Sequence, residues 1–319
     1  MGMINIAVIG TGRWGRNYIK TLDALPNASI TWACSRNEET VKDALQGIKS
    51  RPMITINYKE LLDDNNLNAV VIATDGATHY QIAKDALNAG KHVLSEKPLA
   101  FSSKKVEELA KLAFRNEKAL IVSDIHRFNP GITKIKEDIK KGLFGKISYI
   151  NIFHSGNGPI REDMSALWDF FPHSASIILN LLDETPISVT AHGKASINKK
   201  FEDIATANFT FRNGTFATTT GTWIYPIKKM EIAVAGEKKL AIFDDYAENE
   251  KLRYCNPGSY DYENIKIGNE KPLTEQITHF LTCAEKNIIQ KNNDAIKIAR
   301  ILESAEKSLK TGKTIIDNL

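Results

Sequence analysis

Ile4-Asn5-Ile6-Ala7-Val8-Ile9-Gly10-Thr11-Gly12-Arg13-Trp14-Gly15-Arg16-Asn17-Tyr18-Ile19-Lys20-Thr21-Leu22 is the stretch that decides the fold. Its first six residues are apolar apart from Asn5 and mostly β-branched, as a buried strand requires, and Asn17 to Leu22 is amphipathic, so the run reads strand, glycine-rich turn, helix. Glycine at these three positions has a physical reason. Gly10 permits a tight turn, Gly12 has no Cβ to obstruct a phosphate, and Gly15 lets the helix pack close to the strand. The N–H groups and positive dipole end of that helix then face an anion. The turn Gly10, Thr11, Gly12, Arg13, Trp14, Gly15 is therefore a candidate dinucleotide site.

Working outward, residues 28–33 predict a second strand, ending in Cys34-Ser35-Arg36. An NAD-binding unit commonly carries an acidic residue about 20 residues past the glycines, where it accepts hydrogen bonds from ribose hydroxyls. Ser35 and Arg36 stand there instead. A hydroxyl and a cation accommodate a 2′-phosphate that a carboxylate would repel, so NADP(H) is expected in preference to NAD(H). Helices are predicted over 37–48 and 58–64 and a buried strand over 68–73. Thr74-Asp75-Gly76-Ala77-Thr78-His79 then breaks the pattern at a strand's carboxyl end, where ligands of doubly wound sheets bind. Thr74 and His79 are candidate cofactor contacts, Thr78 a candidate cap for a helix over 80–88, and Gly90 its stop.

The strand over 91–95 ends in Glu96-Lys97-Pro98. Proline keeps the residue before it out of the helical region, so Lys97 is held extended at the strand's end, where it can polarise a substrate oxygen. Glu96 and Lys97 join the candidate cofactor contacts. A helix over 102–118 and a strand over 119–125 complete an alternating β-α series, which predicts an α/β, doubly wound parallel sheet over residues 1–126.

Beyond residue 127 the pattern changes. Pro130 opens a helix closed by Gly142, and strands are predicted over 146–154, 187–192, 205–212, 215–223, 230–235 and 239–244, with Asn213-Gly214 suggesting a type I′ hairpin. These suit an α+β domain, residues 127–319, built on a large, open, mainly antiparallel sheet. Helices over 273–287 and 294–310 are expected to pack back on the body. One helix interrupts the strands, and Pro172 suggests that it begins close to that residue. Asp169 and His173, spaced i,i+4, share a face of a continuous helix, about 6 Å apart along its axis. A carboxylate beside an imidazole suits a general base near neutral pH, although the same pair also suits a capped helix with a core histidine.

The chain has 319 residues, a net charge of +4 and 25% charged residues, with lysines interleaved among glutamates rather than massed, which argues against a nucleic-acid surface. Cys34, Cys255 and Cys283 are widely spaced, without metal-ligand spacing, and suggest a reducing compartment and no metal. No apolar stretch reaches the roughly 18 residues of a membrane helix, so a cytoplasmic protein without membrane partners is expected.

The glycine-rich turn, Thr74-x3-Thr78-His79, Gly90-Lys91-His92-Val93, Glu96-Lys97-Pro98 and Asp169-x3-His173 occur together in this order, and together they resemble the glucose–fructose oxidoreductase, inositol dehydrogenase and rhizopine-catabolism (Gfo/Idh/MocA) family. The resemblance spans nearly the whole chain. It implies a Rossmann domain followed by a domain on an open sheet that supports homodimers or homotetramers. It also implies NAD(P)-dependent oxidation of a secondary alcohol on a sugar or cyclitol. In that scheme His173 is the base, Lys97 polarises the substrate oxygen and Asp169 orients His173 or binds a neighbouring hydroxyl. Two departures stand out: Asp75 occupies a place where proline is usual, and many members are acidic near Ser35. Trp168-Asp169, Gly221-Thr222-Trp223-Ile224-Tyr225-Pro226 and Phe243-Asp244-Asp245 look most like members acting on nucleotide sugars, such as UDP-N-acetylhexosamine 3-dehydrogenases. Arg127, Asn129, Trp168, Trp223 and Tyr225 are candidate substrate contacts. An inositol or free-sugar dehydrogenase, an NAD-dependent glycosidase and a catalytically silent NAD(P)-binding regulator remain the alternatives.

Overall fold

The computed structural model describes residues 2–316. The chain divides into two units: residues up to Ile125 with Leu273–Ile296, and His126–Pro272 with the described residues from Lys297 onward.

In the first unit strands and helices alternate: β1 (Ile4–Ile9), α1 (Arg13–Asp23), β2 (Ala28–Cys34), α2 (Glu38–Ala44), β3 (Met53–Thr55), α3 (Tyr58–Leu62), β4 (Ala69–Ile72), α4 (Gly76–Asn88), β5 (His92–Ser95), α5 (Ser103–Arg115) and β6 (Leu120–Val122). The strands pair in parallel in the order β3-β2-β1-β4-β5-β6, the doubly wound arrangement whose strand order reverses beside β1. Residues 6–9 of β1 and the whole of β4 are buried on both faces, which is why these stretches are continuous apolar runs rather than alternations. Ile6, Val8, Val71 and Leu94 share one core with Tyr18, Ile19 and Leu22 of α1 and with Ile277, Phe280 and Leu281 of the later helix over Pro272–Glu285. Each such aliphatic side chain contributes roughly 1.5–3 kcal/mol through burial. The sixth strand is shorter than its sequence suggests: after Val122 the chain turns into a 3-10 helix, Ile125–Phe128.

The Gly90-Lys91-His92-Val93 motif is scaffolding in this unit. Lys91 Nζ donates to the carbonyls of Asp64 (2.6 Å) and Leu67 (3.0 Å), and His92 Nδ1 accepts from the Ala119 N–H at 3.0 Å. Burial, with the charge of Lys118 adding to it, pushes the His92 imidazole down to about 4. The unfolded chain protonates this ring near an ordinary pKa of about 6.5. Between those values the unfolded state holds more protons than the folded one, so stability is present above the window and lost as pH falls through it. Urea titrations are expected to show a loss of up to about 3 kcal/mol from this residue between neutral pH and about pH 4. His92→Asn, which keeps an acceptor for Ala119 but cannot titrate, flattens that slope.

The second unit begins with α6 (Pro130–Lys140) and β7 (Ile147–Asn157), followed by α7 (Ala166–Leu182), β8 (Ser188–Lys194), β9 (Ile204–Thr210), β10 (Phe216–Thr222), β11 (Ile224–Gly236), β12 (Leu240–Asp244), β13 (Leu252–Cys255) and β14 (Glu263–Asn264). After α8 (Pro272–Glu285) and α9 (Asn293–Thr311), β15 (Ile315–Ile316) completes a nine-stranded sheet ordered β14-β13-β12-β11-β7-β10-β9-β8-β15. Its pairings are antiparallel except β7 with β10. Alternation along β7 and β10 separates the two faces. Ile150, Ile152, Ala217 and Thr219 are buried, with Thr219 Oγ1 donating to Ser174 Oγ of α7 at 2.7 Å. Tyr149, Asn151, Phe216 and Thr218 lie on the opposite, partly exposed face, where the Tyr149 hydroxyl meets Thr218 Oγ1 at 2.7 Å.

Two local expectations change. At Asn213-Gly214 only Gly214 has positive φ (86°), Gly214 N–H donates to the Phe211 carbonyl, and Phe211 N–H donates to the Thr215 carbonyl. The hairpin is therefore the three-residue kind with glycine in the left-handed position, not type I′. The interrupting helix starts at Ala166, capped by Ser165 Oγ, which accepts from the Trp168 N–H; Pro172 lies inside it. Among the described residues no helix is long and apolar enough to cross a membrane.

Candidate functional site

In the first unit the candidate residues gather at the carboxyl ends of β1, β2, β4 and β5. Gly10 has φ 94°, and a Cβ there would lie 2.4 Å from the Ala73 carbonyl oxygen. A Cβ on Gly15 would lie 1.9 Å from the Gly10 carbonyl oxygen. Both glycines are demanded by backbone approaching backbone. Gly12 differs: a Cβ there meets nothing within 4 Å, so the space above it is open. Gly12 is also the N-cap of α1 and supplies no side-chain cap, leaving the first-turn N–H groups for another acceptor. Thr11 is fully buried, and its Oγ1 has no hydrogen-bond partner among the described residues. An orphaned buried hydroxyl, an open cradle over Gly12 and an uncapped helix N-terminus together fit a pyrophosphate.

Around this turn the other candidates are tied to one another. Ser35 and Arg36 follow β2, and Arg36 Nη2 donates to Asp75 Oδ2 at 2.8 Å. Thr74 Oγ1 meets Thr78 Oγ1 at 2.7 Å. Asp75, not Thr78, occupies the N-cap position of α4; Thr78 sits inside the first turn, donating its N–H and hydroxyl to the Asp75 carbonyl. His79 is buried, with Nδ1 2.9 Å from the Pro98 carbonyl oxygen and Nε2 2.9 Å from that of Thr74, so its ring braces the β4 loop against Glu96-Lys97-Pro98. The Lys97-Pro98 bond is cis.

Glu96 belongs to a buried network that the sequence did not reveal. The Tyr18 hydroxyl of α1 donates to Glu96 Oε1 at 2.7 Å, Gln276 Nε2 of α8 donates to Tyr18 Oη and Ser123 Oγ, and Gln276 Oε1 accepts from the Asp124 N–H. Burial first, then the facing Glu96 carboxylate, push the Tyr18 phenol well above its usual range, so it remains a donor. The other Glu96 oxygen accepts from the Lys97 N–H at 3.3 Å, fixing the backbone from which Lys97 projects.

In the second unit α7 carries Asp169 and His173 on one face, as their spacing suggests. Asp169 Oδ2 accepts from the Trp223 indole N–H at 2.9 Å, and its Oδ1 lies 3.6 Å from Arg161 Nη1. Arg161 also grips Asp163 through two bonds of 2.8 Å. The His173 ring meets His126 edge-on at 4.6 Å between centroids, and His154 lies 6.0 Å away. Arg161, His126 and His154 come from separate stretches of chain, so no spacing signal marks them in the sequence. Of the candidate substrate contacts, Arg127 and Tyr225 are exposed, whereas Trp168 and Trp223 are buried. Asn129 is buried too: its Oδ1 accepts from the Gly131 N–H at the start of α6, and its Nδ2 donates to Asp245 at 2.9 Å.

Residues 4–124 match the family model described as an oxidoreductase family with an NAD-binding Rossmann fold, and residues 132–242 match the Gfo/Idh/MocA C-terminal domain. The UDP-N-acetylglucosamine 3-dehydrogenase of Acidithiobacillus ferrooxidans is 27% identical over 70% of this chain and 69% of its own. An inositol 2-dehydrogenase/D-chiro-inositol 3-dehydrogenase of Lacticaseibacillus casei is 25% identical over 75% and 72%. The solved structure of GenD2 from gentamicin A biosynthesis, in complex with NAD, has TM-score 0.88 and 21% identity, covering 100% of this chain and 97% of that one.

Proposed function

The chain belongs to the Gfo/Idh/MocA family of NAD-binding oxidoreductases, and from that premise we propose that it interconverts a secondary alcohol and a ketone on a sugar, with a nucleotide sugar as the first candidate substrate. One observation carries the chemistry: His173 lies one helical turn from Asp169, whose carboxylate is fixed by the Trp223 indole N–H at 2.9 Å. A held carboxylate stabilises a neighbouring imidazolium, so His173 is the group assigned to take the hydroxyl proton in oxidation and return it in reduction. Lys97 is assigned to hold the substrate oxygen and stabilise the negative charge that develops on it. When bound, the nicotinamide supplies the hydride acceptor or donor. The chain's residues supply binding through the Gly10–Gly15 turn and proton transfer through His173.

The nucleotide-sugar assignment is supported by the relative that is a UDP-N-acetylglucosamine 3-dehydrogenase, and an inositol by the Lacticaseibacillus relative. Ser35 and Arg36 support a preference for NADP(H). Self-association through the partly exposed face of the nine-stranded sheet, around Tyr149 and Phe216, belongs to the same proposal. Calorimetry on nucleotide-free protein, first with NADPH and NADH and then with UDP-N-acetylglucosamine added to the tighter complex, tests it. Cofactor-dependent uptake of the nucleotide sugar is expected. Uptake of myo-inositol alone would move the substrate to the cyclitols. Binding of cofactor without turnover of any sugar would favour a regulator.

A further inference from the structure

Asp75 stands at the N-cap of α4, yet its side chain caps nothing there; its carboxylate instead reaches Arg36 at 2.8 Å. A capping aspartate stabilises a helix by satisfying a first-turn N–H. The ion pair chosen in its place is solvent-exposed, with side chains 90% (Arg36) and 51% (Asp75) accessible, and such pairs add little to stability. Stability does not explain the diversion. Location does: Arg36 follows the end of β2, where a Rossmann unit recognises the adenosine ribose, with a carboxylate for the 2′-hydroxyl or an arginine for the 2′-phosphate. Here both groups are present in one ion pair, the guanidinium from the end of β2 and the carboxylate from the β4–α4 loop.

Resting on the cofactor assignment made above, we infer that Asp75 is a cofactor-specificity residue that competes with a 2′-phosphate for Arg36. Asp75 Oδ2 holds Arg36 Nη2, so a 2′-phosphate must either share the guanidinium with that carboxylate or displace it, and in both cases a second anion draws on the same cation. A 2′-hydroxyl makes no such demand and can donate to the carboxylate while the ion pair stays intact. Asp75 therefore lowers the NADP(H) preference that Ser35 and Arg36 otherwise confer.

Calorimetric titration of NADPH and NADH at one ionic strength, into wild type, Asp75→Asn, Arg36→Gln and the double variant, tests this. Both side chains are exposed and Asp75 makes no cap bond, so folding is undisturbed; circular dichroism checks that. Asp75→Asn is expected to raise the NADPH-to-NADH affinity ratio about tenfold, mainly by tightening NADPH. In the Arg36→Gln background the gain falls below about threefold, because the competition needs the guanidinium. An unchanged ratio in Asp75→Asn overturns the inference. So does an equal gain with and without Arg36, which would make Asp75 a simple repulsive charge. A wild type that prefers NADH, with a ratio that Asp75→Asn still moves toward NADPH, refutes the Ser35/Arg36 preference and supports the role of Asp75.

Discussion

His173→Asn is expected to lower kcat by about 10²–10⁴-fold, with NAD(P)H affinity changed by less than about threefold. The imidazole is half-buried on α7, in the second unit, whereas the glycine turn assigned to the cofactor lies in the first. Loss of the ring removes the assigned proton acceptor and nothing from that turn. Lys97→Ala is expected to act in the same direction through the developing oxygen charge. Steady-state turnover set beside calorimetric cofactor binding separates the two effects. Parallel loss of turnover and cofactor affinity would show that either residue supports the fold or the cofactor and not the chemistry. Asp169→Asn keeps one oxygen to accept from the Trp223 indole N–H, but its amide nitrogen is a donor facing Arg161 and the charge beside His173 is gone, so kcat is expected to fall while cofactor affinity holds.

The glycine turn carries the other large effect, and Gly12 and Gly15 are expected to fail differently. Gly12→Ala leaves stability within about 1 kcal/mol, the size of a change at an uncapped N-cap, because its Cβ meets no protein atom within 4 Å. The same Cβ projects into the open space assigned to the pyrophosphate, so affinity for NADH and NADPH falls at least about tenfold. Gly15→Ala drives a Cβ to 1.9 Å from the Gly10 carbonyl oxygen, and backbone cannot step aside as a flexible side chain would. It should lose at least about 1–3 kcal/mol of stability in urea titrations, with cofactor binding lost alongside. Equal destabilisation by both variants would remove the distinction between a glycine that serves the fold and one that serves the ligand.

Much of this architecture is legible in the residues. The run from Ile4 to Leu22 is strand, turn and helix because β-branched burial, glycine spacing and helical amphipathicity agree with one another. Asp169 and His173 share a face because their spacing is that of a helix. What escaped was either too short or too distant to leave a pattern. β3, β13, β14 and β15 have two to four residues, too few to show alternation. The start of α7 was hidden because Pro172 suits a first turn, while the actual cap, Ser165, looks like any loop serine. The parallel pairing of β7 with β10 and the Tyr18–Glu96–Gln276 network join residues far apart in the chain. So does the diversion of Asp75 from its helix to Arg36, which spans 39 residues.

Hydride transfer itself is the central claim, and an isotope tests it most directly. UDP-N-acetylglucosamine carrying deuterium at the carbon to be oxidised, incubated with wild-type protein and oxidised cofactor, is predicted to yield reduced nicotinamide bearing one deuterium by mass spectrometry, and His173→Asn far less. Absence of both deuterium transfer and cofactor reduction, repeated with deuterated inositols and free sugars, would contradict the account.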